Sequence, residues 1–354
     1  MFRKLTTALL ALMLVCGQAF ADVRIGTWNL EHLSVRPGKD FTSIAKVAQN
    51  VDFLAVQELM NEDGLTALQK ALEQATGKKW SAMASHLTGR SSYKEMYGFV
   101  WRDDAVSYED GAVTYLDKGD HFEREPYSAR FRNLKDNTTF VAATVHIHYG
   151  KTVADRTKEI AVLGDYWDWL KSVYDGNTNI MLMGDFNTPP TSTAWAGLRT
   201  SARPLMLQGA STLATTDGQF SNLYDNIFVA NESTINVKSV KVFDYPAYLK
   251  MTNAKGRSSV SDHAPIFMDV VMGGKAAGKA APFAVAKPAA PAATQQVASA
   301  ASTAAGAVRG NRTSMTYHRP DCPSYGSIAA KNRVEFDSEA AALAAHYHIA
   351  GNCR

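Results

Sequence analysis

The chain has 354 residues, 46% of them hydrophobic and 20% charged, with a formal net charge of +3. That composition supplies a sizeable core and excludes wholesale disorder, and three cysteines are too few for a disulfide-dense miniprotein. The length accommodates two domains, or one large domain with an appendage.

Residues 1–21 read as a signal peptide. Arg3 and Lys4 form the basic start, Leu9 to Val15 the apolar run, and Ala19-Phe20-Ala21 a small-x-small cleavage site. The run is too short to span a membrane, and Val15 ahead of Cys16 disfavours a lipid attachment. A secreted or periplasmic protein beginning at Asp22 is expected, with Cys322 and Cys353 as its two cysteines.

From residue 22 to 273 strand and helix signals alternate. VRIGTWNL and DFLAVQEL read as strands, with the amphipathic FTSIAKVAQN between them and a helical pattern from Gly64 to Ala75 after them. EMYGFVWR, TFVAATVHIHY, NIMLMGDF, YDNIFVA and APIFMDVVM are further strand-like runs rich in β-branched and aromatic residues. ADRTKEIAVLGDYWDWLKSVY is the longest expected helix. Polar residues follow the apolar runs directly in WNLE, QEL, GDFN and SDH, and strand-end loops of this kind commonly carry function.

Residues 274–310 are almost all Ala, Pro, Gly, Ser and Thr with a few basic residues. They have little to bury against their ordering entropy and read as a linker. A small module, 311–354, follows. The signal segment carries +2 and the chain from residue 274 onward +5, which leaves the body at −4 of the total +3. A mildly acidic body is no electrostatic trap for a polyanion. A nucleic-acid substrate would require a bound cation and local Arg or Lys contacts.

Asn29, Glu58, Asp185, Asn187 and Asp262 stand at strand ends. Such oxygen donors suit a hard divalent cation rather than zinc. His146 in VHIHYG and His263 in SDH join them. A hard cation with imidazoles is a set suited to phosphate-ester hydrolysis, the cation neutralising phosphate charge and the imidazoles moving protons near neutral pH.

WNLE, QEL, GDFN, YDNIF and SDHAPI occur in the order found in the endonuclease/exonuclease/phosphatase superfamily, and the resemblance extends over nearly all of 22–273. GRSSYKEMYGFVWR and EREPYSARF are similar to the substrate-facing segments of its deoxyribonuclease I-like branch. The resemblance implies an α/β fold: a four-layer sandwich of two packed, mainly antiparallel or mixed sheets flanked by helices, with a small C-terminal α+β module beyond it. It implies metal-site roles for Asn29, Glu58, Asp185 and Asp262, and a phosphate- and water-positioning role for Asp185 and Asn187. It makes His146 and His263 the catalytic histidines, with Glu95 and Asp225 as their carboxylate partners. Arg124 is implied as a phosphate contact and Tyr93 as an aromatic at the substrate surface. His148, two residues beyond His146, reads as an accessory to it. The implied cofactor is Mg²⁺ or Mn²⁺, with Ca²⁺ as a stimulating ion.

The expected reaction is hydrolysis of DNA phosphodiester bonds, one histidine activating water and the other protonating the leaving oxygen, giving a 5′-phosphate and a 3′-hydroxyl. Met60 stands where the branch has an arginine that reaches the minor groove, and the body lacks that branch's disulfides, so duplex preference is less defined than the chemistry. RNA is an alternative substrate. A phospholipid or sphingomyelin phosphodiesterase, or a non-catalytic binding or toxin subunit, are the rival readings. Neither a membrane nor a protein partner is expected.

The tail, with its Tyr-His-x3-Cys-Pro pattern, Asn-Arg-Val-x-Phe and final cysteine, resembles the metal-binding domain of the Ada repair protein. His318, Cys322 and Cys353 fall at ligand positions of that pattern, while Ala350 replaces a third cysteine, and His346 or His348 offers a shifted fourth ligand. Two readings stay open: a Cys322–Cys353 disulfide, favoured by export, or a zinc site that includes His318.

Overall fold

The structure, a computed structural model, describes residues 23–272 and, with gaps, 308–353. The chain divides into two units, Met1–Val285 and Ala286–Arg354. The expected signal peptide and residues 274–307 of the expected linker lie outside the described residues. No helix among those described is long and apolar enough to cross a membrane.

The first unit begins with β1 (Val23–Leu33), α1 (Phe41–Ala48), β2 (Phe53–Leu59), α2 (Glu62–Thr76), β3 (Trp80–Ala84), β4 (Met96–Arg102), β5 (Val106–Thr114) and β6 (Tyr127–Asn133). It continues through β7 (Thr138–His146), α3 (Val153–Ala161), α4 (Leu163–Val173), β8 (Ile180–Asp185), α5 (Ala196–Arg199) and β9 (Ala202–Pro204). It closes with β10 (Asp225–Ala230), β11 (Asn236–Val242), α6 (Tyr245–Leu249), α7 (Asn253–Ser259) and β12 (Ile266–Val271). One six-stranded sheet runs β11-β12-β1-β2-β4-β3 and the other β5-β6-β7-β8-β10-β9. Each is mixed, with a single parallel pair, β1 with β2 and β7 with β8, among antiparallel neighbours.

The period-2 alternation of each strand sorts its side chains between two cores. Phe53 and Ala55 of β2 point to the layer between the sheets, where they meet Phe99, Phe131, Phe140, Met183 and Ile266. Leu54 and Val56 of the same strand point outward to Ile44 and Val47 of α1 and Leu68 and Leu72 of α2. The second sheet repeats the arrangement, with Val141 and Leu182 against Ile160, Trp167 and Leu170 of α3 and α4. The result is the expected four-layer sandwich. Strands buried on both faces explain why the β2 and β8 runs are continuously apolar rather than alternating.

The helices are bounded by local chemistry. Asp40 caps α1 by accepting from Ser43 N, Asn61 caps α2, and Gly77 ends α2 in the left-handed conformation. Thr152 and Asp155 form a capping box at α3. The single long helix expected over 154–174 is two helices, interrupted at Val162.

Lys39 holds the carboxyl end of β1 in place. It is buried, and its Nζ donates to Leu30 O (2.5 Å), Glu31 O (2.7 Å) and Val260 O (2.7 Å). Burial pulls its pKa down to about 8. Lys39→Met keeps the volume but orphans three carbonyls, so a loss of about 2–4 kcal/mol in urea unfolding is expected. A change under ~0.5 kcal/mol would show that these carbonyls have other partners.

The second unit is a four-stranded sheet, β15-β13-β14-β16, built from β13 (Val308–Asn311), β14 (Thr316–His318), β15 (Arg333–Phe336) and β16 (His348–Ile349). Val308, Tyr317, Ala342 and Tyr347 form its small core. It begins at Val308, inside the stretch expected to be linker, because that one valine is buried where its Ala-rich neighbours gave no periodic signal. Cys322 and Cys353 are joined by a disulfide, with His318 Nδ1 at 3.7 Å from Cys353 Sγ. His346 and the side chain of His348 lie outside the described residues.

Candidate active site

The two parallel pairs present their carboxyl ends at the same edge of the sandwich, the place where α/β sheets commonly hold ligands. Asn29 lies near the end of β1 and Glu58 near the end of β2, while His146 and Asp185 end β7 and β8. Register pairs His146 with Asp185 directly. Gly184 makes that pairing possible: its φ is +146°, and a Cβ there would sit 2.0 Å from Val145 O.

Asn29 joins the sheets. Its Nδ2 donates to Glu58 Oε1 (2.9 Å) and to Asp185 Oδ2 (3.1 Å), while its Oδ1 accepts from Glu31 N (2.9 Å). In this arrangement Asn29 orients two carboxylates and its oxygen is already engaged. Beneath it, buried Gln57 of β2 donates to Thr27 Oγ1 of β1 (3.0 Å) and to Thr144 Oγ1 of the opposite sheet (2.8 Å). Asp185 Oδ1 accepts from Asn187 N (2.9 Å), and Asn187 Nδ2 donates to Ile147 O (2.8 Å). Glu31, His32, Glu58 and Asn187 all have positive φ, between 39° and 57°. Left-handed backbone at non-glycine residues costs roughly 1 kcal/mol or more each and collects where function requires it.

Two His–carboxylate pairs flank Asp185. His146 Nδ1 lies 2.7 Å from Glu95 Oε1, and His263 Nδ1 lies 2.7 Å from Asp225 Oδ2. The free Nε2 atoms face inward, 3.6 Å and 3.5 Å from Asp185 Oδ2. All of these groups except Glu58 are nearly or fully buried. Asp262 is the outermost, with Oδ1 3.9 Å from His263 Nε2 and Oδ2 3.7 Å from Arg257 Nη2.

Each pair has its own scaffold. Glu95 is held by Arg124 Nε (2.7 Å) and by Tyr93 OH, which donates to Oε2 (3.2 Å). Arg124 is buried and also donates from Nη2 to His146 O (3.1 Å), so it braces the dyad as well as lining the cleft. Asp225 accepts from Ser211 Oγ (2.6 Å), and Ser261 Oγ accepts from His263 N (2.9 Å) while donating to Asn29 O (2.6 Å).

Burial pulls the His146 imidazole down, but the Glu95 carboxylate outweighs it and leaves the pKa raised. Burial also opposes charging His263, yet Asp225 and Asp185 hold it well above the ordinary histidine value. Burial raises Glu95, but His146 and Arg124 bring it below the usual carboxylate range. Both dyads thus favour a proton on imidazole.

The donor set fits a hard divalent cation. Glu58 and Asp185 present carboxylates to the same opening with no Lys or Arg paired to either among the described residues, and Asp262 stands at its rim. An open cleft of about 570 Å³ covers the group, walled by Tyr93, Arg124, His148, Tyr149, Tyr224 and Arg257 among others.

Sequence reasoning missed Lys39, Ser211, Ser261 and Tyr97, whose OH accepts from His146 N (2.9 Å). It also missed Glu159, a buried carboxylate of α3 that accepts from Glu123 N (2.9 Å) and His148 N (3.0 Å). Glu159 follows Asp155 and Arg156 on its helix face and reads as a solvated charge, and the serines carried no signal.

Residues 26–263 match the Endonuclease/Exonuclease/phosphatase family, and the chain belongs to that family. Within it, the chain is 43% identical over 277 residues to a deoxyribonuclease of Thioalkalivibrio sp. (strain K90mix), covering 76% of each. It is 29% identical over 282 residues to Deoxyribonuclease-1 of Oryctolagus cuniculus, covering 74% of this chain and 97% of that one. The fold matches an endonuclease/exonuclease/phosphatase from Bacteroides vulgatus with a TM-score of 0.54 at 16% identity, over 71% of this chain and 99% of that one. A mannosyl-6-phosphatase of Bacteroides thetaiotaomicron matches with a TM-score of 0.52 at 14% identity, over 71% of this chain and 100% of that one. Residues 286–349 match a family described as ArfC. The Ada-type resemblance of the tail rests on its sequence pattern alone.

Proposed function

We propose that this protein is an exported, divalent-cation-dependent endonuclease that hydrolyses DNA to 5′-phosphate and 3′-hydroxyl ends. The family and the deoxyribonuclease relatives make the chain a hydrolase of phosphodiester bonds. The observation that carries the finer reading is the pair of buried His–carboxylate dyads facing one another across Asp185, beside Glu58. Binding alone needs no such paired proton carriers.

Glu58, Asp185 and Asp262 would hold Mg²⁺ or Mn²⁺, which when bound neutralises phosphate charge. The remaining work falls to the chain. Asn29 keeps Glu58 and Asp185 together. Asn187, fixed by Asp185 and Ile147, is placed to hold a phosphate or the attacking water. Glu95 and Asp225 fix the imidazole tautomers and leave each Nε2 facing the cleft. One imidazole takes a proton from water and the other gives one to the leaving oxygen.

The test is plasmid digestion by residues 22–354 with Mg²⁺ or Mn²⁺, each with and without Ca²⁺, and with EDTA. Nicking followed by linearisation, abolished by EDTA, is expected. Absence of cleavage by folded protein under every cation would overturn the reading, and RNA and lipid phosphodiesters in parallel would redirect it. Export rests on the pattern of residues 1–21. Mature protein beginning at Asp22 in the periplasm or medium is the expected outcome, and full-length protein in the cytoplasm the contrary one.

A pH profile separates the dyads. Glu95 raises the His146 pKa, so Glu95→Gln lets the imidazole lose its proton at lower pH. The limb of kcat/KM that His146 governs, the alkaline one if it donates the proton and the acidic one if it accepts it, is expected to move to lower pH. A limb that stays in place would assign it to another group.

A further inference from the structure

Arg156 stands at this edge of the sandwich with its charge paired to no carboxylate among the described residues. Arg124 is tied to Glu95, and Arg257 lies 3.7 Å from Asp262. Arg156, in the first turns of α3, forms no ion pair among the described residues. Its guanidinium lies over the Tyr149 ring, 4.3 Å from the centroid. Its Nη1 donates to Asn187 O and to Tyr224 OH, both at 3.3 Å. Neither Nε nor Nη2 has a hydrogen-bond partner among the described residues. Tyr149 is 55% exposed, and both tyrosines line the cleft.

These contacts define a built group rather than a stray surface charge. A guanidinium clamped on an aromatic face loses little further entropy on binding, and its fork matches the oxygens of a phosphate. Because Tyr224 oxygen accepts from Arg156, the phenol keeps its own proton to donate into the cleft. The bond to Asn187 O places the group one step from the residue that would hold the scissile phosphate. The charged side chains lining the cleft are mostly acidic, including Glu31, Glu58, Glu123 and Asp262, and Arg156 adjoins it through Tyr149 and Tyr224. A polyanion therefore needs a cationic foothold on this side.

We propose that Arg156, stacked on Tyr149 and bonded to Tyr224, forms a substrate-binding subsite for a backbone phosphate next to the scissile one. The proposal rests on the deoxyribonuclease reading. Arg156 is a positioning residue in it, acting on substrate affinity rather than on the reacting atoms.

The test measures steady-state cleavage of a linear duplex over a range of salt concentrations by wild type, Arg156→Ala, Arg156→Lys and Tyr149→Ala, with melting temperatures as a control on folding. Arg156→Ala is expected to raise KM about tenfold with kcat within threefold. The slope of log(kcat/KM) against log[salt] should become shallower by about one, the signature of one lost phosphate contact. Arg156→Lys should recover the slope but only part of KM, since lysine lacks the planar fork. Tyr149→Ala, an exposed position, should raise KM in the same direction. A fall in kcat with unchanged KM and slope would overturn the subsite and make Arg156 a brace for the Asn187 loop. An unaltered KM and slope would overturn it outright. Failure of wild type to cut DNA overturns the deoxyribonuclease reading itself and the subsite with it, whereas cleavage by wild type with indifferent variants removes the subsite alone.

Discussion

Replacing His263 by alanine is expected to lower turnover on DNA by at least ~10²-fold, the scale of one general acid–base group, while the protein remains folded. His263 is buried, and its main-chain bonds to Trp28 Nε1 and Ser261 Oγ do not depend on the ring. The substitution therefore removes a proton carrier from a wall of the cleft and leaves its loop anchored. Asp225→Asn tests the same pair from the other side. It keeps the shape but presents an amide where Nδ1 now meets a carboxylate, which destabilises the charged imidazole and favours the wrong tautomer. The double variant should be little worse than the more damaging single one, because residues acting as a unit are non-additive. Near-normal kcat in folded His263→Ala would remove His263 from the chemistry.

Asp185→Asn is expected to do more, on the order of 10³-fold in kcat/KM, several kcal/mol of lost charge stabilisation. The side chain is nearly isosteric, so the fold is preserved. Its Oδ2 accepts from Asn29 and lies between the two imidazole Nε2 atoms, and its Oδ1 accepts from Asn187 N. An amide satisfies only one of these oxygens' roles and turns an N–H toward Asn29 Nδ2 or Asn187 N. The charge facing both imidazoles is lost at the same time. Melting temperature should shift little while activity collapses. If activity survives within tenfold, Asp185 is a structural carboxylate only.

The site was legible because its groups stand where apolar runs stop. Asn29, Glu58, Asp185 and His263 each follow a buried strand-like run or precede one, so their place at a sheet edge could be read before any pairing was known. Seven strands, β1, β2, β4, β7, β8, β10 and β12, were visible for the same reason, while β3, β6 and β11 were not among the runs read as strands. β5 was not, because Tyr108 to Gly111 are partly or fully exposed and the strand carries Glu109, Asp110 and Gly111. β9 has three residues, too few for any period. The α3–α4 break escaped because Val162 continues the apolar pattern across it. Lys39 sits in a Pro-Gly-Lys-Asp stretch that reads as a solvated turn, and only the tertiary structure supplies its three carbonyls. Which carboxylate serves which histidine lies beyond local pattern, since Glu95 and His146 are 51 residues apart and Asp225 and His263 are 38.

The cleft straddles the boundary between two sheets, with Asn29 and Glu58 on one and His146 and Asp185 on the other. Whatever binds there works as a rivet as well as a reactant. A ligand that recognises the assembled edge but not the unfolded chain adds about 2.7 kcal/mol to stability at one hundred times its dissociation constant. With the cation proposed above bound, heat resistance of this enzyme would be coupled to the supply of cation and substrate. The same protein should outlast a thermal challenge in a cation-rich medium that it fails in a chelated one, and its lifetime would then be set by its surroundings as much as by its core.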